Sequence, residues 1–237
     1  MPLADRVVLI TGATGGLGRA VIRQLADAGS RLGLAGTNEE RLRAAAAEAG
    51  LTDERWAPGV GDLTDRAAAE AAVAAVVDRL GRIDVLLHLV GGYAGGGSIA
   101  SFADEDLRTM LDQHVWSTLH VARAVVPGMV EGGWGRVIAV TASTTASTPP
   151  NLAAYTVAKA AEETLLRTLA REVASNGVTV NLITGRKIDT EHARETDPSP
   201  KTAPWTTPQE IAATMRFLCS DEAAAITGAR IAMDGRT

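Results

Sequence analysis

A strand, a glycine-rich turn and an amphipathic helix follow one another in RVVLITGATGGLGRAVIRQLADAG (residues 6–29), and this unit limits the possible fold more than any other feature. Gly12, Gly16 and Gly18 occupy the turn, and Gly29 closes the helix. Glycines let the backbone turn tightly and approach a pyrophosphate, which then lies at the N-terminus of the helix. The unit therefore predicts nucleotide binding, with an ordinary tight turn as the alternative.

Strands and helices alternate along the rest of the sequence. Further strands are predicted at 31–36, within 55–65, and at 83–92, 136–143, 177–185 and 228–235. Helices are predicted at 38–50, from 65 to about 80, and at 104–130, 153–175 and 207–221. Asn38, Asp65 and Thr207 stand where helix-capping residues are expected. Such alternation implies a parallel sheet with right-handed crossovers.

The composition fits one α/β domain. Hydrophobic residues make up 46% of the chain but aromatic residues only 3%, so the core must be built from Ala, Val, Leu and Ile. This suits helices packed on a buried parallel sheet. With neither a domain boundary nor an internal repeat in 237 residues, we expect a single doubly wound sheet of the Rossmann type, with helices on both faces, over residues 1–237.

Several classes of partner are excluded by charge and composition. The net charge is −5 without a basic run, which argues against nucleic acid and anionic membranes. The apolar run at 85–90 is too short to span a bilayer. A lone cysteine, Cys219, and the absence of a secretory leader pattern favour a soluble cytoplasmic protein. The four histidines lack metal-ligand spacing, so no metal is expected.

Tyr155 and Lys159 are the strongest candidates for catalysis. They lie one turn apart on the same face of a predicted helix. A tyrosine hydroxyl titrates near ~10, and a neighbouring cation favours the phenolate. Such a tyrosine can donate a proton to a substrate that accepts a hydride, or remove one in the reverse direction. The alternative is a surface tyrosine and lysine on an ordinary helix.

The order and spacing of several segments resemble the short-chain dehydrogenases/reductases over essentially the whole chain. The matching segments are TGATGGLG, GDLTD, IDVLLHLVGG, GRVIAVTAS, YTVAK, VTVNLITG and ITGARIAMDG. The resemblance implies a domain that binds NAD(H) or NADP(H). It places Asp62 on the adenine, Thr190 near the nicotinamide carboxamide and Lys159 on the nicotinamide ribose. A turn-capping role is the alternative for Asp62. The full cofactor-binding set that it implies is Gly12, Thr14, Gly16, Leu17, Gly18, Thr37, Asn38, Asp62, Leu63, Val90, Gly91, Lys159 and Thr190.

Two catalytic positions depart from the family pattern. The family serine lies 13 residues before the tyrosine, where this chain has Ala142; Ser143 follows and would serve if the loop were one residue tighter. The family asparagine is replaced by His114. The NNAG strand end reads His88-Leu89-Val90-Gly91 instead. The cofactor pattern therefore survives, whereas carbonyl polarisation and the proton-relay position have changed.

A subgroup, the dihydropteridine reductases, is similar at the same places. The similar segments are LVGGYAGG, QHVWST, the TAS without the family serine, and PWTTPQE. This resemblance implies a flat heterocyclic substrate, a quinonoid dihydropteridine-like or imine-like compound. Candidate substrate contacts are Tyr93, His114 and Trp205, with Trp116 as a further wall, and simple core packing is the alternative.

Cofactor choice depends on the residues after the second strand. An acid there would bind the ribose 2′-OH and repel a 2′-phosphate, but the chain has Thr37 and Asn38. An arginine that would clamp the phosphate is also lacking, and Glu39 and Glu40 follow. We expect NADP(H) to be favoured, with NAD(H) possible.

Three functions remain open at this point. The first is hydride transfer to or from a small organic substrate with Tyr155 as general acid/base. The second is a carbonyl or 3-oxoacyl reductase that uses Ser143. The third is a non-catalytic NAD(P)-binding sensor or scaffold. The polar segment 186–206 is predicted to be a lid. The resemblance implies that the helices at 104–130 and 153–175 pair copies into a homodimer or homotetramer.

Overall fold

The computed structural model describes residues 3–234 and contains a seven-stranded parallel sheet in the order β3-β2-β1-β4-β5-β6-β7. The strands are β1 (Val7–Thr11), β2 (Arg31–Gly36), β3 (Trp56–Val60), β4 (Val85–His88), β5 (Gly135–Ala142), β6 (Val178–Gly185) and β7 (Arg230–Ala232). Every neighbouring pair is parallel. The predicted doubly wound Rossmann-type fold is confirmed.

The α-helices lie on both faces of this sheet. They are α1 (Gly16–Asp27), α2 (Glu39–Glu48), α3 (Arg66–Leu80), α4 (Asp104–Leu111), α5 (Ser117–Glu131), α6 (Thr144–Ser147), α7 (Ala153–Glu172), α8 (Ala193–Thr196) and α9 (Pro208–Leu218). Side chains alternate between the faces along each strand. Val7 and Leu9 of β1 belong to the core under α3, α5 and α7, whereas Val8 and Ile10 belong to the core under α1, α2 and α9.

Three helices begin at the predicted capping residues. The Arg41 backbone N–H donates to Asn38 Oδ1 over 2.9 Å, and that of Ala68 donates to Asp65 Oδ1 over 2.8 Å. At the start of α9, Thr207 and Glu210 form a reciprocal capping box. Each cap satisfies a backbone N–H that the helix itself leaves without a partner.

The long helix predicted at 104–130 is interrupted, so that prediction was wrong in one respect. A π-helical turn, Asp112–Trp116, separates α4 from α5. The Ser117 hydroxyl donates to the Gln113 carbonyl over 2.6 Å, and the Thr118 hydroxyl donates to the His114 carbonyl over 2.5 Å. These hydroxyls give partners to carbonyls in the widened turn, which carries His114 into the protein interior.

The strand order brings four connecting loops together at the carboxyl edge of the sheet. They follow β1, β4, β5 and β6, and the order reverses between β1 and β4. In open α/β sheets this switch point is where ligands bind. The fold therefore places the glycine-rich turn beside the N-terminal end of α7. In the described part of the chain, no helix has the length and apolar character needed to cross a membrane.

Candidate active site

A cavity of about 780 Å³ opens at this switch point. Its walls come from the loops after β1, β4, β5 and β6 and from the first two turns of α7, with one side chain each from the π-helical turn and α9. Of the residues predicted to form the site, the cavity is lined by Gly12, Gly16, Leu17, Gly18, Val90, Gly91, Tyr93, His114, Tyr155, Lys159 and Thr190.

The glycine-rich turn fits a nucleotide pyrophosphate. Gly12 has a φ of +63°, and a Cβ there would lie 2.9 Å from the Leu89 carbonyl oxygen. A Cβ on Gly18 would lie 2.5 Å from the Ala13 carbonyl oxygen, so a side chain is excluded at both positions. The residue before α1, Gly15, provides no side-chain cap. The backbone N–H groups of the first turn of α1 therefore face the cavity mouth without a capping side chain, as an anion site requires.

Helix α7 presents Tyr155 and Lys159 to the same cavity. The helix begins at Ala153, which puts Tyr155 in its first turn and Lys159 in its second. The Lys159 Nζ donates to the Val140 carbonyl over 2.8 Å and to Glu162 Oε2 over 2.7 Å. Lys159 is buried. Its ammonium is therefore fixed between β5 and its own helix.

The Tyr155 phenol is held in its protonated form. Its ring lies 5.4 Å from that of Tyr93 and 5.6 Å from that of His114, measured between centroids. Burial raises the pKa of Tyr155 to about 12, and the Glu162 carboxylate and Tyr93 add to this increase. The expectation that a neighbouring cation would favour the phenolate is therefore wrong for the free protein, because burial of the phenol disfavours its charged form and the Glu162 carboxylate is paired with that cation.

His114 is a neutral ring on the cavity wall. Burial and the Lys159 ammonium together lower the pKa of His114 to about 3. The hydrogen bond to Gly92 opposes this decrease and raises the pKa. Its Nε2 lies 3.0 Å from the Gly92 carbonyl oxygen and must carry the proton of the neutral ring to bond there. Its Nδ1 has no hydrogen-bond partner among the described residues. Nδ1 is thus an acceptor.

Below the cavity, His88 ties the ends of β1 and β4 to the π-helical turn. Ser117 commits its hydroxyl proton to the Gln113 carbonyl, so it can only accept from His88 Nε2, 3.4 Å away. Nδ1 then accepts from the Thr11 hydroxyl over 3.0 Å. Burial lowers the pKa of His88 to about 3. The ring is therefore a neutral structural link.

Comparison with known proteins decides the family. The family model described as short chain dehydrogenase matches residues 6–201. This chain belongs to the short-chain dehydrogenases.

Three similar proteins illustrate the range of this family. The chain is 30% identical to the 2,3-dihydroxy-2,3-dihydro-p-cumate dehydrogenase of Pseudomonas putida, over 99% of this chain and 95% of that protein. It is 30% identical to the 3-oxoacyl acyl-carrier-protein reductase of Vibrio cholerae, over 99% of this chain and 98% of that protein. A solved structure described as NAD+-bound xylitol dehydrogenase superposes with a TM-score of 0.86 at 26% identity, covering 98% of both chains.

Ala142, where the family resemblance leads one to expect a serine, provides no hydroxyl to the cavity. Ala142 ends β5 and lines the cavity, as does Thr144, but Ser143 between them does not. The Ser143 carbonyl accepts from the backbone N–H groups of Ala146 and Ser147, so Ser143 is held as the residue that begins the short helix α6. The Thr144 Oγ1 is buried and has no hydrogen-bond partner among the described residues. Thr144 was missed in the sequence, where only its place in a run of hydroxyls marked it.

Five predicted cofactor contacts lie outside the cavity wall. Thr14 belongs to the glycine-rich turn, and Thr37 and Asn38 are exposed after β2. Asp62 Oδ1 accepts from the backbone N–H and the hydroxyl of Thr64, over 3.0 and 2.8 Å, so this carboxylate also caps a turn. Leu63 is buried beside it. Four of these residues follow β2 and β3, on the side of β1 away from Tyr155.

Trp205 does not form a wall of the cavity, which corrects the prediction for it. Its ring lies 3.9 Å from the Lys187 Nζ, on a separate shallow pocket beside Glu210. The Trp205 carbonyl accepts from Arg194 Nη1 over 3.0 Å, and this bond fixes the backbone there. Trp116 is also turned away, since it is 47% exposed and its ring packs on His120.

Glu162 was missed in the sequence altogether. Its carboxylate is fully buried, one helical turn beyond Lys159. The one available signal was an acid at i+3 from the lysine on a helix face that is otherwise apolar. In the described part of the chain, no group of three His, Cys, Asp or Glu side chains is placed to hold a metal ion.

Proposed function

We propose that the chain is an NAD(P)(H)-dependent oxidoreductase that transfers a hydride to or from a small organic substrate, with Tyr155 as general acid/base. One observation carries the proposal: Tyr155 and Lys159 line the same cavity as the glycine-rich turn. Proton transfer and nucleotide binding can thus take place at neighbouring points. Membership of the short-chain dehydrogenases supports the same reading.

The residues present fit a nicotinamide dinucleotide. The pyrophosphate would be held by Gly12, Gly16 and Gly18. The adenine would be held by Asp62 and Leu63, and the nicotinamide carboxamide by Thr190. Lys159 would bind the nicotinamide ribose through the N–H that Val140 and Glu162 leave to the cavity. When bound, the cofactor supplies or accepts the hydride. NADP(H) is favoured, because Thr37 and Asn38 stand where a carboxylate would repel a 2′-phosphate.

Tyr155 holds and moves the proton. Its protonated phenol faces the cavity and donates to the substrate atom that gains charge as the hydride arrives. In the reverse direction the phenolate accepts that proton. Tyr93 and His114 flank the phenol and form the wall against which a flat substrate would lie.

The substrate is proposed to be a quinonoid dihydropteridine-like or imine-like heterocycle. Such a ring is already electron-poor and chiefly needs a proton. A ketone instead develops negative charge on oxygen, and losing one hydroxyl that stabilises it costs roughly 3 kcal/mol. Support for the proposal comes from Ala142, which lines the cavity where the family serine would stand.

Carbonyl or 3-oxoacyl reduction is the second candidate, and one observation favours it. Thr144 lines the cavity, and its hydroxyl has no partner within residues 3–234; after a side-chain rotation it could polarise a carbonyl. Ser143 could do the same if α6 shifts. The Vibrio cholerae relative is named for such a substrate.

A steady-state assay with both cofactors tests these candidates. A quinonoid dihydropterin should be reduced faster than a panel of ketones and acyl thioesters. Faster reduction of ketones or thioesters would favour the second candidate. Cofactor binding without turnover of any compound would favour a non-catalytic sensor or scaffold.

We also infer a homodimer or homotetramer in the cytoplasm. The outer faces of α5 and α7 form an apolar groove lined by residues that include Leu119, Ala122, Val126, Ala161 and Leu165. This is the surface that the family resemblance implies for pairing. Cys219 is buried and free, which suits a reducing compartment.

A further inference from the structure

Glu162 is a buried carboxylate that the proposed chemistry does not use. Its side chain is 1% exposed, and that of its partner Lys159 is 6% exposed. Glu162 Oε2 accepts from Lys159 Nζ over 2.7 Å, and Oε1 lies 3.3 Å from the Thr118 hydroxyl oxygen. A buried charge is tolerated only when it is paired and hydrogen-bonded, so this contact is a defined part of the site.

The pair limits what Lys159 can do. An ammonium has three N–H donors, and here Val140 and Glu162 accept two of them. One donor remains for the cavity. The carboxylate also places a negative charge about two helical turns beyond Tyr155, on the same helix as the positive charge of Lys159.

Besides Lys159, the cationic side chains that line the cavity with Tyr155 are Arg186 and Lys187 of the loop after β6, and the Lys187 Nζ lies over the Trp205 ring, 3.9 Å from its centroid. His88 of β4 and His114 of the π-helical turn are neutral, because burial lowers the pKa of each to about 3. The loop after β4 contributes the Tyr93 phenol. Glu163, next to Glu162 on α7, accepts from Thr141, Thr145 and Arg230, facing β5 and β7. The charge beside Tyr155 is therefore set mainly by Lys159 and Glu162.

We propose that Glu162 is a positioning residue that fixes the Lys159 ammonium and offsets its charge, so that Tyr155 remains a neutral, proton-donating phenol. This inference rests on the proposed role of Tyr155 and deepens it. Burial raises the pKa of Glu162, while the Lys159 ammonium and the Thr118 hydroxyl act against that increase. Without the carboxylate, Lys159 would act on Tyr155 unopposed and would favour the phenolate.

The chain offers a direct measurement, because Tyr93 and Tyr155 are its only tyrosines. In a Tyr93→Phe background, the ultraviolet absorbance of phenolate against pH reports the ionisation of Tyr155 alone, with circular dichroism verifying the fold at each pH. Adding Glu162→Gln should lower the pKa of Tyr155 by about one unit or more. Glu162→Asp, which keeps the charge, should restore most of the original value.

Glu163→Gln is the matched control, since it removes the same charge one residue along the same helix. Its effect on the pKa of Tyr155 should be clearly smaller than that of Glu162→Gln. An unchanged or raised pKa in Glu162→Gln, or equal shifts in the two variants, would overturn the inference. The titration involves no turnover, so its outcome is independent of whether the proposed hydride transfer is correct.

A double variant covers the case in which Glu162→Gln does not fold. Lys159→Gln/Glu162→Gln replaces the ion pair by neutral side chains that can still hydrogen-bond, and removes both charges together. If the two charges offset each other, the pKa of Tyr155 in the double variant should lie close to that of the Tyr93→Phe parent. A double variant shifted by about one unit or more would show that the charges do not cancel at Tyr155.

Discussion

Individual side chains around Tyr155 determine which proton chemistry is open to the site. The phenol is surrounded by two rings and is protonated at neutral pH, while the lysine beside it is paired with a carboxylate. The site therefore carries, at neutral pH, the proton that a substrate accepting a hydride would need. A hydroxyl at position 142, which would stabilise an oxyanion, is missing.

Introducing that hydroxyl should improve ketone reduction. Ala142→Ser puts a hydrogen-bond donor at a cavity-lining position. We expect kcat for ketones to increase by up to about 10²-fold, and kcat for a heterocycle to change little. Ser143→Ala is the matched control and should cost under about tenfold, because Ser143 does not line the cavity. Strong ketone turnover in the natural protein that collapses in Ser143→Ala would show that Ser143 serves as the family serine.

Cofactor preference should follow from Thr37 and Asn38. These residues are exposed after β2, and a carboxylate is absent from both positions. NADPH should bind at least as tightly as NADH in a fluorescence or calorimetric titration, and Thr37→Asp should shift the preference toward NADH. A clear NADH preference in the natural protein would mean that these side chains do not contact the ribose as proposed.

Among the elements, the segment at 186–206 combines an anchored centre with a place beside the cavity. Asp189 is buried and accepts from the backbone N–H groups of Ala193 and Arg194, and Arg194 is paired with Glu210 of α9. Lys187, Ile188 and Thr190 line the cavity. A segment that is fixed by these hydrogen bonds and this ion pair, and that also presents residues to the cavity, is suited to act as a lid that closes as one unit.

Hydrogen exchange should detect this lid. With cofactor bound, backbone amides in 186–206 should exchange more slowly, because ligand contacts at Ile188 and Thr190 add to the existing anchors. The outer helix α3 (Arg66–Leu80), away from the cavity, provides the internal control. Equal protection of 186–206 with and without cofactor would contradict the lid.

Local signals in the sequence predict the strands, the helices and their caps. The features that the sequence did not predict depend on contacts between residues far apart in the chain. The caps at Asn38, Asp65 and Thr207 depend on residues within one helical turn, so they can be read directly. The π-helical turn at His114 and the orientation of Trp205 depend on distant partners. The pairing of Lys159 with Glu162 required knowing that both are buried, which helical spacing does not reveal.

At the scale of the whole molecule, we expect another copy of the chain to cover the groove between α5 and α7. Light scattering should give a dimer or tetramer mass, and Thr164→Arg should reduce it, since Thr164 is exposed on the groove and its replacement by a long cation would obstruct contact. Arg167→Ala, on the same helix but outside the groove, should leave the mass unchanged. A monomeric natural protein would contradict this assembly.

Turnover and cofactor binding in Tyr155→Phe test the central claim most directly. The substitution removes the phenolic proton and little else, so kcat should fall by about 10²–10⁴-fold while the cofactor Kd stays nearly unchanged. Lys159→Ala should differ by weakening cofactor binding as well, because its remaining N–H faces the cavity. Near-normal turnover in Tyr155→Phe would contradict the assignment of Tyr155 as the general acid/base.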